Sequence, residues 1–161
     1  MEYVKELEEE ILHLKGELEK SQRLIKDLSA PIIPSILPET ILVPVVGNLF
    51  PERFEAMNAK ILSAASIEDV TTVVIDFTAI TSKEIEELDT FDYYVRSLKQ
   101  SLQLMGVHSV FVGFGPNVTL KLLQSDLLQD DSFETYLSFK KALETLAAKR
   151  GYGFVKLTSA E

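Results

Sequence analysis

Thr71-Thr72-Val73-Val74-Ile75-Asp76-Phe77 is the stretch whose reading decides the fold. It is continuously apolar and rich in β-branched residues, with no polar–apolar alternation. That composition predicts a short strand covered on both faces, as in a parallel sheet flanked by helices. Upstream, Pro51–Ala65 reads as a helix with Pro51 in its first turn and Phe54, Met57, Ile61, Leu62 and Ala65 on one face. Before it, Thr40–Val46 reads as a strand whose Pro44 implies an edge or a bulge. Downstream, Ser82 is suited to cap a long helix with a buried stripe of Ile85, Leu88, Phe91, Val95, Leu98, Leu102 and Met105, closed by Gly106. Ser109–Gly113 is a second buried strand, Asn117–Gln124 a short helix opened by Pro116, and Ser138 caps a last helix to about Arg150. Residues 151–161 either add a strand at Phe154–Leu157 or fray. Strands alternating with helices predict an α/β fold with a largely parallel sheet, in which Val74, Ile75, Phe111 and Val112 are almost fully buried.

The N-terminal residues follow a different rule. Val4, Leu7, Ile11, Leu14, Leu18, Ile25 and Leu28 recur in alternating steps of three and four, interrupted only at Ser21. This is a heptad pattern with Val4, Ile11, Leu18 and Ile25 at a, and Leu7, Leu14, Ser21 and Leu28 at d. Largely β-branched a positions with leucine at d favour a parallel homodimer, and Glu10 (g) and Lys15 (e) can pair across it. The alternative is a single amphipathic helix packed on its own domain. Pro31, Pro34 and Pro38 then force an extended connection. Three parts result: a dimerising helix over 1–28, a linker over 29–38 and an α/β domain over 39–161.

Composition narrows the function. Sixteen Lys and Arg against twenty-five Asp and Glu give a net charge of −9 over 161 residues. Such a body repels phosphate backbones and anionic lipid, arguing against nucleic-acid and membrane-surface partners. The absence of cysteine excludes disulfides, thiol catalysis and zinc–thiolate sites. No apolar run approaches the roughly 18–20 residues that span a bilayer. The charged first residues do not form a signal peptide, so the expectation is a cytoplasmic protein.

Catalytic signals are weak. Gly113-Phe114-Gly115-Pro116 lies between a strand and a helix, but Val118 holds the place of a third phosphate-loop glycine and no Lys-Ser/Thr pair follows. Glu84, Glu86, Glu87 and Asp89 read as a solvated face rather than an acid–base pair or metal site. His13 and His108 stand far apart, and no metal or cofactor is expected. Neither a serine-nucleophile elbow nor a Walker motif occurs. Tyr93 and Tyr94 fall at the margins of the long helix's buried stripe, as a partner interface or as internal packing.

Five short motifs occur in an order similar to that of the STAS family, more narrowly the C-terminal half of RsbR-type stressosome proteins. They are Leu28-Ser29-Ala30-Pro31-Ile32-Ile33-Pro34; Val43-Pro44-Val45-Val46-Gly47 with Arg53 following; Val74-Ile75-Asp76-Phe77-Thr78; Leu104-Met105-Gly106-Val107; and Val112-Gly113-Phe114-Gly115-Pro116. The resemblance implies a STAS-type sheet of mostly parallel strands flanked by helices. It also implies a non-enzymatic scaffold or antagonist in a partner-switching pathway, meeting other STAS proteins and a switch serine/threonine kinase. The family's Asp-Ser/Thr switch pair, counted from Asp76, falls on Glu84 and Ile85, and its second threonine falls on Lys121. Asp89-Thr90 supplies the pair only if about one helical turn is inserted. The remaining phosphorylation candidates are therefore Ser82, as a helix cap, and Thr90, as a helix-interior residue. On that basis the expectation is a constitutive scaffold, with any phosphate on Ser82 before Thr90. The competing reading is a small α/β domain binding a nucleotide or other anionic ligand near Thr78, Ser82 and Gly115.

Overall fold

A computed structural model of the chain describes residues 1–28, 30–67 and 69–158, with side chains 26–28 outside the description. The first element, α1 (Glu2–Leu28), is one continuous helix about 40 Å long at 1.5 Å per residue. A five-stranded sheet follows in sequential order: β1 (Ile33–Pro34), β2 (Thr40–Pro44), β3 (Thr72–Asp76), β4 (His108–Val112) and β5 (Thr135–Tyr136). β1 runs antiparallel to β2, and every other neighbouring pair is parallel. Parallel neighbours need crossovers. Those between β2, β3 and β4 are α2 (Pro51–Ser66) and α3 (Leu88–Leu104). The last contains α4 (Pro116–Leu122) and a 3-10 turn at Leu127–Gln129, and α5 (Phe139–Lys149) comes after β5.

The continuous apolar runs become the double-sided sheet they predict. Val43, Val73, Ile75 and Phe111 point to the face covered by Phe54, Met57 and Ile61 of α2 and by Phe91, Val95, Leu98 and Leu102 of α3. Val74, Val110 and Val112 point to the other face, beneath Ala142, Leu146 and Ala147 of α5. Phe111 is fully buried, with ring contacts to Phe77 at 6.3 Å and Phe133 at 4.7 Å. Arg150, just past α5, fastens that helix to the sheet by donating to Pro38 O at 2.6 Å and Thr72 Oγ1 at 2.7 Å.

Local signals hold at most helix ends. Ser138 Oγ accepts from Lys141 N at 3.1 Å, as the N-cap of α5. Gly106 adopts φ +74, and two bonds close α3 in a Schellman motif: Gly106 N to Gln103 O and Val107 N to Leu102 O. Pro44 stands beyond the short register that β1 makes with β2, where its missing N–H leaves no ladder bond unmade.

The start of the long helix differs from expectation. Ser82 does not cap it; the helix begins six residues later, at Leu88, with Glu87 at the N-cap. Residues 82–84 form a turn. Ile85 is buried outside the helix, bridging to Leu49, so the i, i+3 spacing of Ile85 and Leu88 reflects a loop folded onto the core. Met105, placed on the buried stripe by periodicity, is 40% exposed. The proline-rich stretch supplies β1 and the buried residues Ala30 and Leu37. Residues 154–157 form no strand.

Candidate functional site: the C-terminal edge of the sheet

Parallel strands point their C-terminal ends at one edge, and there β3, β4, α2 and α3 converge. β3 ends on Asp76, whose carboxylate accepts the amide of Thr78 at 2.8 Å and the Thr78 hydroxyl. The neighbouring strand must pass this knot without a side chain. Gly113 does so at φ +84; a Cβ there would lie 2.6 Å from Thr78 N and 2.7 Å from Asp76 Oδ1. Thr78 is thus engaged internally rather than offered to a ligand.

From the knot the chain enters the 78–87 loop. Glu84 accepts from Thr81 N at 2.7 Å and also from the Thr81 hydroxyl. The first is one of the two bonds of a capping box, here closing a single turn instead of a helix; the Thr81 hydroxyl accepts from Lys83 N at 3.3 Å rather than from Glu84 N, which donates to Thr81 O at 3.2 Å. Both bonds from Thr81 to the Glu84 carboxylate hold it below its ordinary range, the Thr81 hydroxyl contributing most. The loop is tied to the one preceding α2 by Leu49 N donating to Glu84 O at 2.9 Å, beside the Leu49–Ile85 bridge. Arg53 braces that second loop from below. It is buried and donates from Nη1 to Asn48 O at 3.0 Å. Burial lowers its pKa. Gly47, at φ +79, lies over the guanidinium, where a Cβ would sit 3.2 Å from Nη1.

This bracing sets where α3 starts, and so places the candidate hydroxyls. Thr90 is the third residue of the helix, in its first turn, and donates to Glu87 Oε2 at 3.3 Å. It is therefore not helix-interior. The residues inserted ahead of Asp89-Thr90 lie in the braced loop, leaving the pair at a helix N-terminus. Ser82 lies in the turn, partly exposed. Tyr94 stacks on Phe54 with ring centroids 5.1 Å apart and donates to Glu55 Oε1 at 2.9 Å, whereas Tyr93 is 65% exposed. The structure thus separates the two tyrosines into one packed and one free of the core.

An anionic ligand finds little here. Gly115 opens a helix of only seven residues, and Asp76, Glu84, Glu86, Glu87 and Asp89 surround the edge with negative charge. Among the described residues no group of three or more His, Asp or Glu side chains is arranged to hold a metal ion. Nor is any described helix long and apolar enough to cross a membrane. Val4, Leu7, Ile11, Leu14 and Leu18 are exposed along α1, Ile25 is half-buried, and the Leu28 side chain lies outside the described residues.

Sequence reasoning missed Glu87 as the cap and Thr81-x-x-Glu84 as a turn; the latter spacing was a readable signal. It also missed the buried Lys99, whose Nζ donates to Asp130 Oδ2 at 2.9 Å and Ser132 Oγ at 2.5 Å. Partners thirty-odd positions apart leave no local pattern.

No family model matches the sequence, and no curated protein matches it. Solved structures do. A serine-to-glutamate variant of RsbS from Moorella thermoacetica superposes with a TM-score of 0.61 at 19% identity, covering 76% of this chain and 97% of its own. A chain from a structure of the stressosome, described as a signal integration and transduction hub, gives 0.58 at 17%, covering 74% and 98%. The anti-sigma factor antagonist SpoIIAA in its unphosphorylated form gives 0.56 at 18%, covering 78% and 99%; its phosphorylated form gives 0.51 at 17%, covering 73% and 98%. At these identities the correspondence is one of architecture, and it runs through nearly the whole of each relative: this chain has the STAS fold.

Proposed function

We propose that the protein is a STAS signalling scaffold or antagonist in a partner-switching pathway, acting by protein–protein contact and catalysing nothing itself. The observation that carries this is the position of Asp89-Thr90. In a fold shared with RsbS and SpoIIAA, this chain sets an aspartate and a hydroxyl in the first turn of α3, at the edge where loops and helix starts meet solvent. A phosphate there adds about −1.5 to −2 charge, which the helix N-terminus accommodates while a docked acidic or apolar partner is repelled. No chemistry by this chain is needed.

The ranking of hydroxyls follows the geometry. Thr90 takes precedence over Ser82, reversing the sequence-based order, because the helix start that favoured Ser82 belongs to Thr90. Glu86, Glu87 and Asp89 oppose added charge and set a high threshold for it. The partners in this reading are a second copy through α1, an RsbS-type STAS protein and a switch serine/threonine kinase, all in the cytoplasm.

The test is reconstitution with the RsbS-type protein and switch kinase of the same organism. Co-assembly by sedimentation, and ATP-dependent phosphate located on Thr90 by mass spectrometry, are expected. Absence of co-assembly removes the scaffold reading; phosphate on Ser82 with none on Thr90 reverses the ranking. The competing anion-binding reading predicts thermal stabilisation by a nucleotide, and none is expected.

A further inference from the structure

Gly153-Phe154-Val155-Lys156-Leu157 is rich in strand-favouring residues, yet it forms no strand within its own chain. Tyr152 N donates to Ala147 O at 2.8 Å, and among the described residues no later one makes a backbone hydrogen bond. Phe154, Val155 and Leu157 are 67%, 80% and 87% exposed.

The sheet has an edge to match. Phe111 N donates to Glu134 O and Gly113 N to Tyr136 O, so residues 134 and 136 turn their backbone groups toward β4. Thr135 and Leu137 then turn theirs outward, and among the described residues neither is paired there. Both side chains are exposed as well. Such an edge is a template for another strand.

One antiparallel register matches the side chains. Setting Val155 opposite Thr135 places Phe154 opposite Tyr136, Lys156 opposite Glu134 and Leu157 opposite Phe133. The outward groups of Thr135 and Leu137 make the backbone bonds, and the aromatic and charge pairs fall at the closer, non-hydrogen-bonded positions. Residues 130–137 carry Asp130, Asp131 and Glu134 with no cation, whereas residues 151–158 carry Lys156 with no carboxylate. A shift of two residues sets Glu134 against Phe154 or Thr158 and loses the charge pair.

Geometry selects the donor of the strand. Tyr152 is anchored to Ala147, nine residues along α5 from Ser138, or roughly 13 Å at the helical rise. Gly153 and Phe154 line a hollow with Ile36, Leu37 and Pro38, beside the start of β2 and three strand spacings, about 14 Å, from β5. The chain's own tail reaches Leu137 only by breaking the Tyr152 anchor. A second copy's tail reaches it by swinging out of the hollow alone.

We infer that residues 153–157 of one copy add as an antiparallel strand to the outer edge of β5 in a second copy. The contact is small, and five residues bury far less than the roughly 1,200 Å² of a stable interface. It therefore holds only where the α1 coil makes each assembly bivalent, and an isolated sheet domain stays unpaired at micromolar concentration. This rests on the self-association included in the proposed function and goes beyond it, linking one coiled-coil pair to the next.

The absence of cysteine makes disulfide mapping clean. Full-length Thr135→Cys and Val155→Cys chains are mixed and oxidised. A mixed covalent dimer is expected in excess over either self-product, because paired Cα atoms about 5.5 Å apart lie in disulfide range. In the Val155→Cys chain, Lys156→Glu should lower that yield about three- to tenfold and Lys156→Arg should keep it. Residues 151–158 are all exposed, so neither variant unfolds the domain. Equal yields overturn the inference. A chain carrying both cysteines should close no intramolecular disulfide in dilute solution; closure would mean that the tail reaches its own edge, and overturns it too. Leu7→Cys, at a d position, reports on the coil separately. Its self-crosslinking without the mixed product overturns the strand exchange and leaves the coil, whereas loss of both removes the self-association on which the exchange rests.

Discussion

Gly113 shows how one position constrains the whole sheet edge. Its φ of +84 lies in the left-handed region, and the space a methyl would need is held by Thr78 and Asp76. Backbone strain of about 1–2 kcal/mol adds to an overpacking cost of about 1–3 kcal/mol. Gly113→Ala should therefore lower unfolding stability by about 2–5 kcal/mol in urea titrations. Gly115→Ala, where a Cβ meets nothing within 4 Å at a negative φ, should change little. Equal effects at both glycines would mean the knot relaxes freely. At the same scale, Asp130 accepts from Ser132 and from Lys99, and these bonds hold its carboxyl below the ordinary range, Ser132 first. A depressed folded-state pKa contributes stability at neutral pH that is lost as pH falls through and below the ordinary carboxylate range. Asp130→Asn should flatten that acid limb, read as the urea midpoint between about pH 7 and about pH 3; an unchanged slope would count against the clamp.

At the scale of elements, β4 is the strand on which both layers depend. Phe111 faces the α2–α3 layer while Val110 and Val112 face α5. Truncating the fully buried ring by Phe111→Ala should cost about 3–5 kcal/mol. A loss below about 1 kcal/mol would show that the site collapses around the missing ring. The buried strands were legible because a parallel sheet writes itself as short apolar runs, and α5 because its serine cap precedes an amphipathic stretch. β1 and β5 were not, since two residues carry no period. The start of α3 was misread for a definite reason: Ile85 and Leu88 have helical spacing, but Ile85 reaches the core by bridging Leu49. Apolar spacing reports burial, and a loop folded onto a core buries residues as a helix does. The candidate site inherited that error, which is why Thr90 was placed inside the helix and Ser82 at its head.

For the whole molecule, the decisive relation is between the rod and the domain. Every buried core residue among those described lies between Ala30 and Ala147, and α1 contributes none. The seam residues Val4 to Leu18 instead present apolar side chains to solvent, a state that a coiled coil relieves at about 25 cal/mol per Å² buried. The two parts should therefore separate in their thermodynamics. Light scattering on the full chain should give at least twice the 18.1 kDa chain mass. Removing residues 1–28 should lower that mass and still leave a cooperatively folding domain. Because association stabilises by mass action, the full chain's melting temperature should rise with protein concentration, whereas the truncated domain's should not. A monomeric full chain at micromolar concentration would sink the coiled coil. A truncated domain that kept its mass and its concentration dependence would instead move the dimer contact from α1 onto the sheet domain, with Tyr93, exposed on α3, the first residue to substitute.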